Sequence, residues 1–298
     1  MRALYLIKPD LKARQERKIF DLAKDYMKDY TLYLACSVEE VRKDLHYDLV
    51  ITAFYPFLGD ILSVINKPRH IHFTSSGLDM LEKLDYDISG IRITASKGVN
   101  SKSISEYVFA YILALTKNVF HSYENQKEKK WDRAWSTELT GKTLGIIGYG
   151  KIGKQVAALA HTFGMNVMVS AYESLLENIN DANICKVENV FQESHFIVIC
   201  VPLTQETKGF VNSRLLDYLS EHSVLINVSR GGVIDERDLC SFLEANRNNY
   251  AVLDVFETEP LQEHSSLWEL DNVYVTPHIA GTTDLYLENM FEILSTKV

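Results

Sequence analysis

Three side chains of complementary chemistry follow three consecutive predicted strands in the second half of the chain. Arg230, Glu259 and His278 each come shortly after an apolar run that is typical of a buried strand. Because the carboxyl ends of parallel strands meet at the ligand edge of a sheet, we expect these groups to lie in one region. An arginine can bind a carboxylate with two parallel hydrogen bonds, and a histidine, with a reference pKa of about 6.5, can exchange a proton near neutrality. Together they predict polar chemistry on the carbonyl group of an acidic molecule.

Each of these residues has a simpler explanation when it is taken alone. A single arginine after a strand often forms a surface ion pair, and a single histidine often has a structural hydrogen bond. The hypothesis depends on three compatible groups at equivalent positions, where Glu259 could hydrogen-bond the imidazole of His278 and fix its tautomer. His161, His222 and His264 lack such a setting, and we interpret them as surface or packing residues.

A glycine-rich turn at residues 148–153 predicts a dinucleotide site. It follows a buried-strand pattern at 143–147 and opens a helix pattern that ends at Gly164. In this context a GxGxxG pattern turns the chain tightly, lets the backbone approach a pyrophosphate and packs the helix on the strand. A merely structural tight turn is the alternative. The predicted cofactor contacts here are Gly148, Tyr149, Gly150, Lys151, Ile152 and Gly153.

A dinucleotide site on the same sheet as the arginine and the histidine indicates hydride transfer between a nicotinamide and a 2-oxo or 2-hydroxy acid. The reduction needs a proton donor to the carbonyl oxygen, and the reverse reaction needs a base. Ser75, Ser76 and Gly77 follow another predicted strand, and their N–H groups could hold the substrate carboxylate. Pro202 follows the strand pattern at 196–201 and could line the adenosine or the ribose.

The elements that must position these residues form two α/β alternations. Strand and helix patterns alternate over residues 1–97 and again from residue 143, which predicts two parallel sheets with helices on both faces. The first alternation includes a helix that opens at Ser37, where Glu40 completes a capping-box pattern. Residues 103–121 predict one long apolar helix between the two halves. The second alternation predicts six strands, at 143–147, 166–169, 196–201, 224–228, 250–254 and 273–275.

The composition argues against several classes of protein. The 298 residues are 46% hydrophobic and 24% charged, as in globular rather than disordered or fibrous proteins. The formal net charge of -9 argues against nucleic acid as a partner. No apolar run approaches the roughly 18 residues of a membrane span, and no cysteine or histidine spacing predicts a metal site. Four widely spaced cysteines and the lack of a signal-peptide pattern predict a cytoplasmic protein.

Five sequence blocks in a fixed order carry a family resemblance. They are GKTLGIIGYGKIG from Gly141, VPLTQET from Val201, LINVSRGGVIDE from Leu225, LDVFETEP from Leu253 and VTPHIAGTT from Val275. Through them the chain resembles the D-isomer-specific 2-hydroxyacid dehydrogenases over nearly its whole length. The resemblance implies a Rossmann-type nucleotide-binding domain at 98–276 and a smaller flavodoxin-like parallel α/β substrate domain at 1–97 plus 277–298. It also implies an NAD(P)-dependent enzyme, a homodimer, and closure of the two domains over cofactor and substrate.

The same resemblance assigns roles to individual residues. It implies that Arg230 binds the substrate, that Glu259 and His278 are the catalytic pair, and that Asp254 binds the nicotinamide carboxamide. The substrate contacts are then Ser75, Ser76, Gly77, Arg230 and His278. The remaining predicted cofactor contacts are Ser170, Ala171, Val201, Pro202, Thr207, Val228, Ser229 and Gly281.

Two departures from the family pattern bear on these roles. Ala171 stands where an acid would bind the ribose 2′-hydroxyl of NAD, yet no arginine or lysine before Lys186 would attract the 2′-phosphate of NADP. Ser170 could hydrogen-bond either group, so NAD is the first choice and NADP stays open. The chain also ends at Val298, one predicted helix after His278, which is earlier than the family pattern.

Other functions of the same fold are alternatives. A nucleotide-sensing corepressor-like protein could keep the catalytic residues, although the chain lacks the long disordered tails used for recruitment. A formate or phosphite dehydrogenase relative is a second alternative, and Glu259 counts against formate because that class has glutamine at this position. The identity of the 2-hydroxy acid is not specified by these motifs. Phe54, Tyr55 and Phe57 fit either a hydrophobic substrate pocket or a core.

Overall fold

Strands and helices alternate along the part of the chain that the computed structural model describes, which is residues 1–53, 57–78, 81, 84–170 and 183–298. In chain order the elements are β1 (Arg2–Leu6), α1 (Pro9–Tyr26), β2 (Thr31–Ala35), β3 (Leu49–Thr52), α2 (Leu58–Val64), β4 (His70–Phe73), β5 (Arg92–Ala95), α3 (Ser101–Thr116), α4 (Val119–Lys127), β6 (Thr143–Ile147), α5 (Lys151–Thr162), β7 (Asn166–Ser170), β8 (Asn183–Ile184), α6 (Val187–Glu193), β9 (Phe196–Ile199), α7 (Ser213–Leu216), β10 (Val224–Asn227), α8 (Glu236–Ala245), β11 (Tyr250–Leu253), β12 (Val273–Val275) and α9 (Tyr286–Ser295). The predicted parallel α/β class is confirmed. Phe54, Tyr55 and Ala171 lie outside the described residues.

The chain divides into two units with different bounds from those predicted. One unit comprises Met1–Val99 and Thr283–Val298, and the other comprises Asn100–Thr282. By this division the chain returns to the first unit after residue 282, and the bound expected at 276 stays a prediction. The N–H groups of Ile279 and Ala280 are bonded to the Asp254 carboxylate of the second unit.

The first unit is built on a five-stranded parallel sheet in the order β2-β1-β3-β4-β5. This is the flavodoxin-like order. Successive side chains of β1 point to opposite faces of the sheet. Tyr5 packs edge-on against Phe291 of α9, whereas Leu6 belongs to the buried cluster that includes Leu58 of α2. Both faces are therefore covered, and the end of β4, where residues 75–77 begin, is held in a packed sheet.

The second unit is built on a seven-stranded parallel sheet in the order β12-β11-β10-β9-β6-β7-β8. The first six strands of this unit follow the Rossmann order 3-2-1-4-5-6, and β12 extends the sheet. Ile146 of β6 packs on the face covered by α3 and α5, and Ile147 packs on the opposite face. The sequence prediction omitted β8, because its two residues are exposed and give no apolar run. The strand order reverses between β6 and β9, which is where a doubly wound fold binds its ligand.

The single helix predicted at 103–121 is two helices. Helix α3 ends at Thr116, and α4 begins at Val119 after Asn118 adopts a left-handed conformation with φ of +55°. Asparagine tolerates this conformation better than most residues. Its side-chain amide donates to the carbonyl of Trp135 at 2.9 Å, and Thr137 N–H donates to the carbonyl of Thr116 at 2.9 Å. The returning segment thus ends the helix, a contact that no local pattern could reveal.

The helix predicted to open at Ser37 is wrong. Residues 36–46 form bends and turns. The Glu40 carboxylate does accept a backbone N–H, from Cys36 at 3.1 Å, but it also binds the Lys12 ammonium of α1 at 2.7 Å. The hydrogen bond from Lys12 lowers the pKa of Glu40 to about 2. Glu40 therefore makes a tertiary contact with α1, although residues 36–46 form no helix for it to cap.

Candidate active site

The glycine turn has the close contacts that the motif predicts. Gly148 has φ of +99°, and a Cβ there would lie 2.9 Å from Val201 Cγ1 and 3.0 Å from the Cys200 backbone. A Cβ on Gly153 would lie 2.3 Å from the Gly148 carbonyl oxygen, so α5 packs directly on the end of β6. Burial raises the pKa of Cys200 to about 12, and its thiol donates to the Gly148 carbonyl at 3.0 Å. The turn is therefore fixed from both neighbouring segments.

The same turn leaves room in front of the helix. A Cβ on Gly150 would have no described heavy atom within 4 Å. Helix α5 begins at Lys151, and the first N–H groups of a helix have no acceptor within the helix. Open space and the positive end of the helix dipole together suit a phosphate group. The residues present therefore fit the pyrophosphate of a dinucleotide.

The edge near β7 carries a serine and a lysine. Ser170 ends β7, and its carbonyl accepts the Gly148 N–H at 2.8 Å. Strand β8 runs parallel to β7, and Cys185 N–H donates to the Val169 carbonyl at 2.9 Å. Lys186, the next residue, is exposed and has no ion pair among the described residues. The pairing of β8 with β7 thus places Lys186 close to the end of β7.

The loop after β9 is shaped by its own hydrogen bonds. The Thr207 hydroxyl lies 2.6 Å from the Pro202 carbonyl and 2.7 Å from the Thr204 backbone nitrogen. Thr207 and Val201 are both buried. Thr207, predicted to contact the cofactor, therefore has its hydroxyl engaged within the loop that carries Pro202.

The strand register aligns the segments that carry the three chemical groups. Asn227 of β10 is level with Leu253 of β11, and Leu253 is level with Val275 of β12. The chain leaves these three strands at the same edge. Arg230, Glu259 and His278 follow at distances of three, six and three residues along the chain. The prediction that they follow neighbouring strand ends therefore agrees with the fold.

Asn227 organises the turn that presents Arg230. Its side-chain oxygen accepts the N–H of Ser229 at 3.1 Å and the Ser229 hydroxyl at 2.9 Å. Its amide donates to the Arg230 carbonyl at 3.0 Å. Arg230 Nη1 in turn donates to the Ser229 carbonyl at 2.8 Å. Asn227 is buried, and the sequence prediction missed it because an asparagine after a strand also fits an ordinary turn.

The segment that follows Arg230 is in close contact with the segment that follows β11. Gly231 packs on Phe256 so closely that only glycine fits. Glu236 N–H donates to the Glu257 carboxylate at 3.1 Å, and Glu257 N–H donates to the Glu236 carboxylate at 2.5 Å. Burial is the main cause that raises the pKa of Glu236. This reciprocal pair fixes the segment that leads to Glu259.

His278 and Glu259 form a hydrogen-bonded pair. His278 Nδ1 lies 2.8 Å from Glu259 Oε2, and the two side chains are 50% and 37% exposed. The other carboxylate oxygen, Oε1, accepts the Phe256 N–H at 3.1 Å. An ionised carboxylate only accepts hydrogen bonds, so Nδ1 carries a proton and Nε2 is the ring nitrogen that does not bind Glu259. The pair has the arrangement of an oriented acid/base.

Asp254 is buried and bonded to the turn that carries His278. It accepts the Ile279 N–H at 2.8 Å, the Ala280 N–H at 2.9 Å and the Thr276 hydroxyl at 2.6 Å. Gly281 follows this turn, and a Cβ there would lie 2.7 Å from the Asn100 amide nitrogen. Val228 and Ser229 are likewise buried. These predicted cofactor residues therefore lie at buried or closely packed positions of the second unit.

The loop at 75–77 belongs to the first unit. The Ser75 hydroxyl donates to the Gly77 carbonyl at 3.1 Å, and the Ser76 hydroxyl donates to the Ser96 carbonyl at 3.1 Å. The Gly98 N–H reaches the Ser76 hydroxyl oxygen at 3.3 Å. The backbone N–H groups of 75–77 have no acceptor among the described residues. These three backbone N–H groups are thus the donors of the loop that a ligand could use.

Comparison with known proteins decides the family. A family model described as the NAD-binding domain of D-isomer-specific 2-hydroxyacid dehydrogenase matches residues 109–280, more than half of the chain. Hydroxypyruvate reductase of Thermotoga maritima is 32% identical over 240 residues, which cover 79% of this chain and 78% of that protein. The chain belongs to the D-isomer-specific 2-hydroxyacid dehydrogenase family. This confirms the family, the enzyme class and the NAD(P) cofactor class predicted from the sequence.

Further members of this family are similar over most of the chain. Glyoxylate reductase of Korarchaeum cryptofilum is 30% identical, and the match covers 80% of this chain and 75% of that protein. The crystal structure of a family protein from Aeromonas salmonicida has a TM-score of 0.86 at 26% identity and covers 99% of this chain and 94% of that one. D-lactate dehydrogenase of Aquifex aeolicus, complexed with NAD and lactic acid, has a TM-score of 0.76 at 27% identity, with 100% and 94% coverage.

The described residues contain no group of three or more His, Cys, Asp or Glu arranged to hold a metal ion. None of their helices is long and apolar enough to span a bilayer. His161, His222 and His264 are exposed, as expected of surface residues.

Proposed function

We propose that the chain interconverts a D-2-hydroxy acid and the matching 2-oxo acid, with His278 as acid/base, Glu259 as its partner and Arg230 as the substrate-binding cation. The observation that carries the proposal is the 2.8 Å hydrogen bond between His278 Nδ1 and Glu259 Oε2. Family membership supports the reaction class. The experiment is turnover of 2-oxo acids with reduced cofactor, compared between the wild type and His278→Ala.

The proposed chemistry assigns one task to each group. The nicotinamide cofactor, when bound, supplies or accepts the hydride at C2 of the substrate. In the reducing direction His278 gives the Nε2 proton to the carbonyl oxygen, and in the oxidising direction it takes the hydroxyl proton. Glu259 accepts from Nδ1, which fixes the tautomer and favours the imidazolium. Arg230 binds the substrate carboxylate with two parallel hydrogen bonds, and the N–H groups of 75–77 are proposed as further donors to it.

We infer that NAD is the preferred cofactor and that NADP is also accepted. The pyrophosphate would be held by the N–H groups at the start of α5, at Lys151, Ile152 and Gly153, beside the turn of Gly148 and Gly150. Exposed Lys186 near the end of β7 supports acceptance of a 2′-phosphate, and the NAD complex of the Aquifex relative supports NAD. Kinetics with NADH and NADPH test this. A large preference for NADPH would contradict the choice of NAD.

Small 2-oxo acids are the proposed substrates. The relatives named hydroxypyruvate reductase and glyoxylate reductase support this class. A panel of glyoxylate, hydroxypyruvate, pyruvate and phenylpyruvate separates a small-substrate enzyme from one with a large apolar pocket. The highest kcat/KM for phenylpyruvate would contradict the proposal. Binding of cofactor without turnover of any 2-oxo acid would favour the corepressor-like alternative.

We further propose a homodimer formed through helix α4 and the segment that follows it. Helix α4 has no buried residues, and Trp131 and Trp135 are 95% and 97% exposed. We call α4 and the following segment, up to Trp135, the arm. Tryptophan is enriched in the buried centres of interfaces, so we propose that a second copy of the chain packs against the arm. Sedimentation should give a dimer for the wild type and for Trp268→Ala, a control outside the arm. The double variant Trp131→Ala, Trp135→Ala should sediment as a monomer, and a dimer there would contradict the proposal.

We place the protein in the cytoplasm as part of this proposal. The four cysteines, Cys36, Cys185, Cys200 and Cys240, are free thiols, as a reducing compartment allows. Fractionation of cells that express the full chain would test the location.

A further inference from the structure

The turn that carries His278 is held in a strained conformation. His278 has φ of +54°, in the left-handed region, and its N–H donates to the Thr276 carbonyl at 3.0 Å. Such a conformation is unfavourable in a residue other than glycine and persists only when surrounding contacts impose it. The contacts that impose it here lie on both sides of the histidine.

The buried carboxylate of Asp254 is hydrogen-bonded to this turn. It accepts the Thr276 hydroxyl before the histidine and the N–H groups of Ile279 and Ala280 after it. Asp254 is 2% exposed. Three of the roughly four acceptor positions of the carboxylate are therefore used by the chain itself. Its hydrogen bonds reach residues before and after His278, and none of them is to the imidazole.

Two side chains of helix α3 are also hydrogen-bonded to this turn. Tyr107 Oη lies 2.6 Å from Thr276 Oγ1, and the Ser103 hydroxyl donates to the Ala280 carbonyl at 3.0 Å. Because the carboxylate of Asp254 can only accept, the Thr276 hydroxyl must donate to it. The Thr276 oxygen is then an acceptor, so the Tyr107 hydroxyl is the donor. Burial raises the pKa of Tyr107, so this hydroxyl stays protonated.

We propose that Tyr107 and Thr276 are positioning residues for the catalytic histidine, acting as a directed hydrogen-bond chain from Tyr107 through Thr276 to Asp254. The chain fixes residues 276–280 so that the His278 ring meets Glu259 and presents Nε2 outward. In this view Asp254 serves the histidine turn as well as the cofactor. Loss of either hydroxyl frees the turn to relax and the ring to move away from Glu259.

The test uses variants that separate the hydroxyl from the shape of the side chain. Thr276→Val removes the hydroxyl and keeps the volume, Thr276→Ser restores a hydroxyl, and Tyr107→Phe removes the first donor. Tyr218→Phe is the control, because Tyr218 lies on the exposed surface beyond α7. The first readout is the ring ¹⁵N shifts of His278, assigned by their loss in His278→Gln, which report the tautomer without cofactor or turnover. The second readout is kcat, KM and the dissociation constant of NADH.

We expect the Nδ1–H tautomer in the wild type, Tyr218→Phe and Thr276→Ser, and a mixture of tautomers in Thr276→Val and Tyr107→Phe. The kinetic arm rests on the proposed function. There kcat should fall on the order of 10- to 100-fold in Thr276→Val, because a misplaced catalytic group costs about this much. Thr276→Ser should recover most of the loss, and the NADH dissociation constant should change less than kcat. Tyr107→Phe should add little in the Thr276→Val background, because both act on one chain.

Wild-type ring shifts in Thr276→Val would overturn the inference, and so would fully additive effects of the two substitutions. If the tautomer changes as expected but no 2-oxo acid is turned over, the inference stands and the proposed function fails. The two failures are therefore distinguished by the first readout.

Discussion

Gly231 packs directly against the backbone of Phe256: a Cβ on residue 231 would stand 1.8 Å from the Phe256 carbonyl carbon. This contact joins two segments of the proposed site, because Arg230 precedes Gly231 and the Phe256 N–H binds the Glu259 carboxylate. The separation between Arg230, the proposed substrate-binding cation, and the proposed acid/base pair therefore depends on a position where no side chain fits.

Gly231→Ala should consequently damage catalysis. The methyl group must push the 256–257 backbone away, and displacement of about 1 Å near the chemistry costs on the order of 100-fold in rate. The matched control is Gly232→Ala, whose Cβ would meet only the Leu203 side chain at 3.4 Å. Measured kcat/KM should fall in the first variant and stay within about twofold in the second. Equal activities in a folded Gly231→Ala protein would refute the role of this contact.

Arg230 should govern substrate binding. Arg230→Ala removes two hydrogen bonds to a charged group, which contribute about 1.5–3 kcal/mol each, so KM for the 2-oxo acid should rise by at least roughly 100-fold. The dissociation constant of NADH, measured by fluorescence, should stay near the wild-type value. Arg230→Lys keeps the charge but loses the two-pronged geometry, and its KM should lie between the other two. Turnover at low substrate in Arg230→Ala would remove the assignment.

Glu259 should set the pH range of the reduction. Glu259→Gln removes the negative charge beside the His278 ring, so the protonated imidazole is less favoured. The alkaline limb of kcat/KM for 2-oxo acid reduction should therefore move to lower pH, because the proton donor is lost earlier. Full pH profiles of the wild type and the variant check this. An unchanged profile would take Glu259 out of the pair.

Two buried histidines of the first unit should make stability depend on pH. Burial lowers the pKa of His70 and of His72 to about 4. The same groups protonate near 6.5 in the unfolded chain, so between about pH 6.5 and 4 the unfolded state binds more protons. The free energy of unfolding should be highest above this window and fall as the pH drops through it.

His72→Gln should flatten that dependence by up to about 1.4 kcal/mol per pH unit, the slope for one proton. His72 bonds Thr94 and Ser96 through its two ring nitrogens, so the variant will also be less stable at neutral pH. The slope is therefore the diagnostic quantity, measured by urea unfolding at several pH values. Exposed His264→Gln is the control. Parallel curves for the wild type and His72→Gln would count against the buried pair as the cause.

Local patterns predicted most of the fold because the decisive signals are local. The apolar run at 143–147 and the glycines at 148, 150 and 153 specify a strand, a tight turn and a helix within a short stretch. The order of the segments after β10, β11 and β12 then follows from the rule that parallel strands share a ligand edge. The sequence therefore predicted that Arg230, Glu259 and His278 follow neighbouring strand ends.

The elements that the patterns missed depend on partners distant in the chain. Glu40 looked like a helix cap because Lys12, its actual partner, is 28 residues away. Asn118 breaks a helix because the carbonyl of Trp135 accepts its amide. Asn227 and Tyr107 hold the site through bonds to backbone and side chains that only the folded chain brings near. Single-sequence periodicity contains no information on such pairs.

His278 is proposed to exchange a proton with a 2-oxo acid while the cofactor exchanges a hydride. The most direct measurement is turnover of glyoxylate and hydroxypyruvate with NADH and NADPH by the wild type, His278→Ala and His264→Ala, with cofactor binding measured on the same samples. We predict activity in the wild type and His264→Ala, and a loss of about 100- to 10,000-fold in kcat for His278→Ala with NADH binding retained. Wild-type kcat in a cofactor-binding His278→Ala protein would contradict the acid/base role of His278.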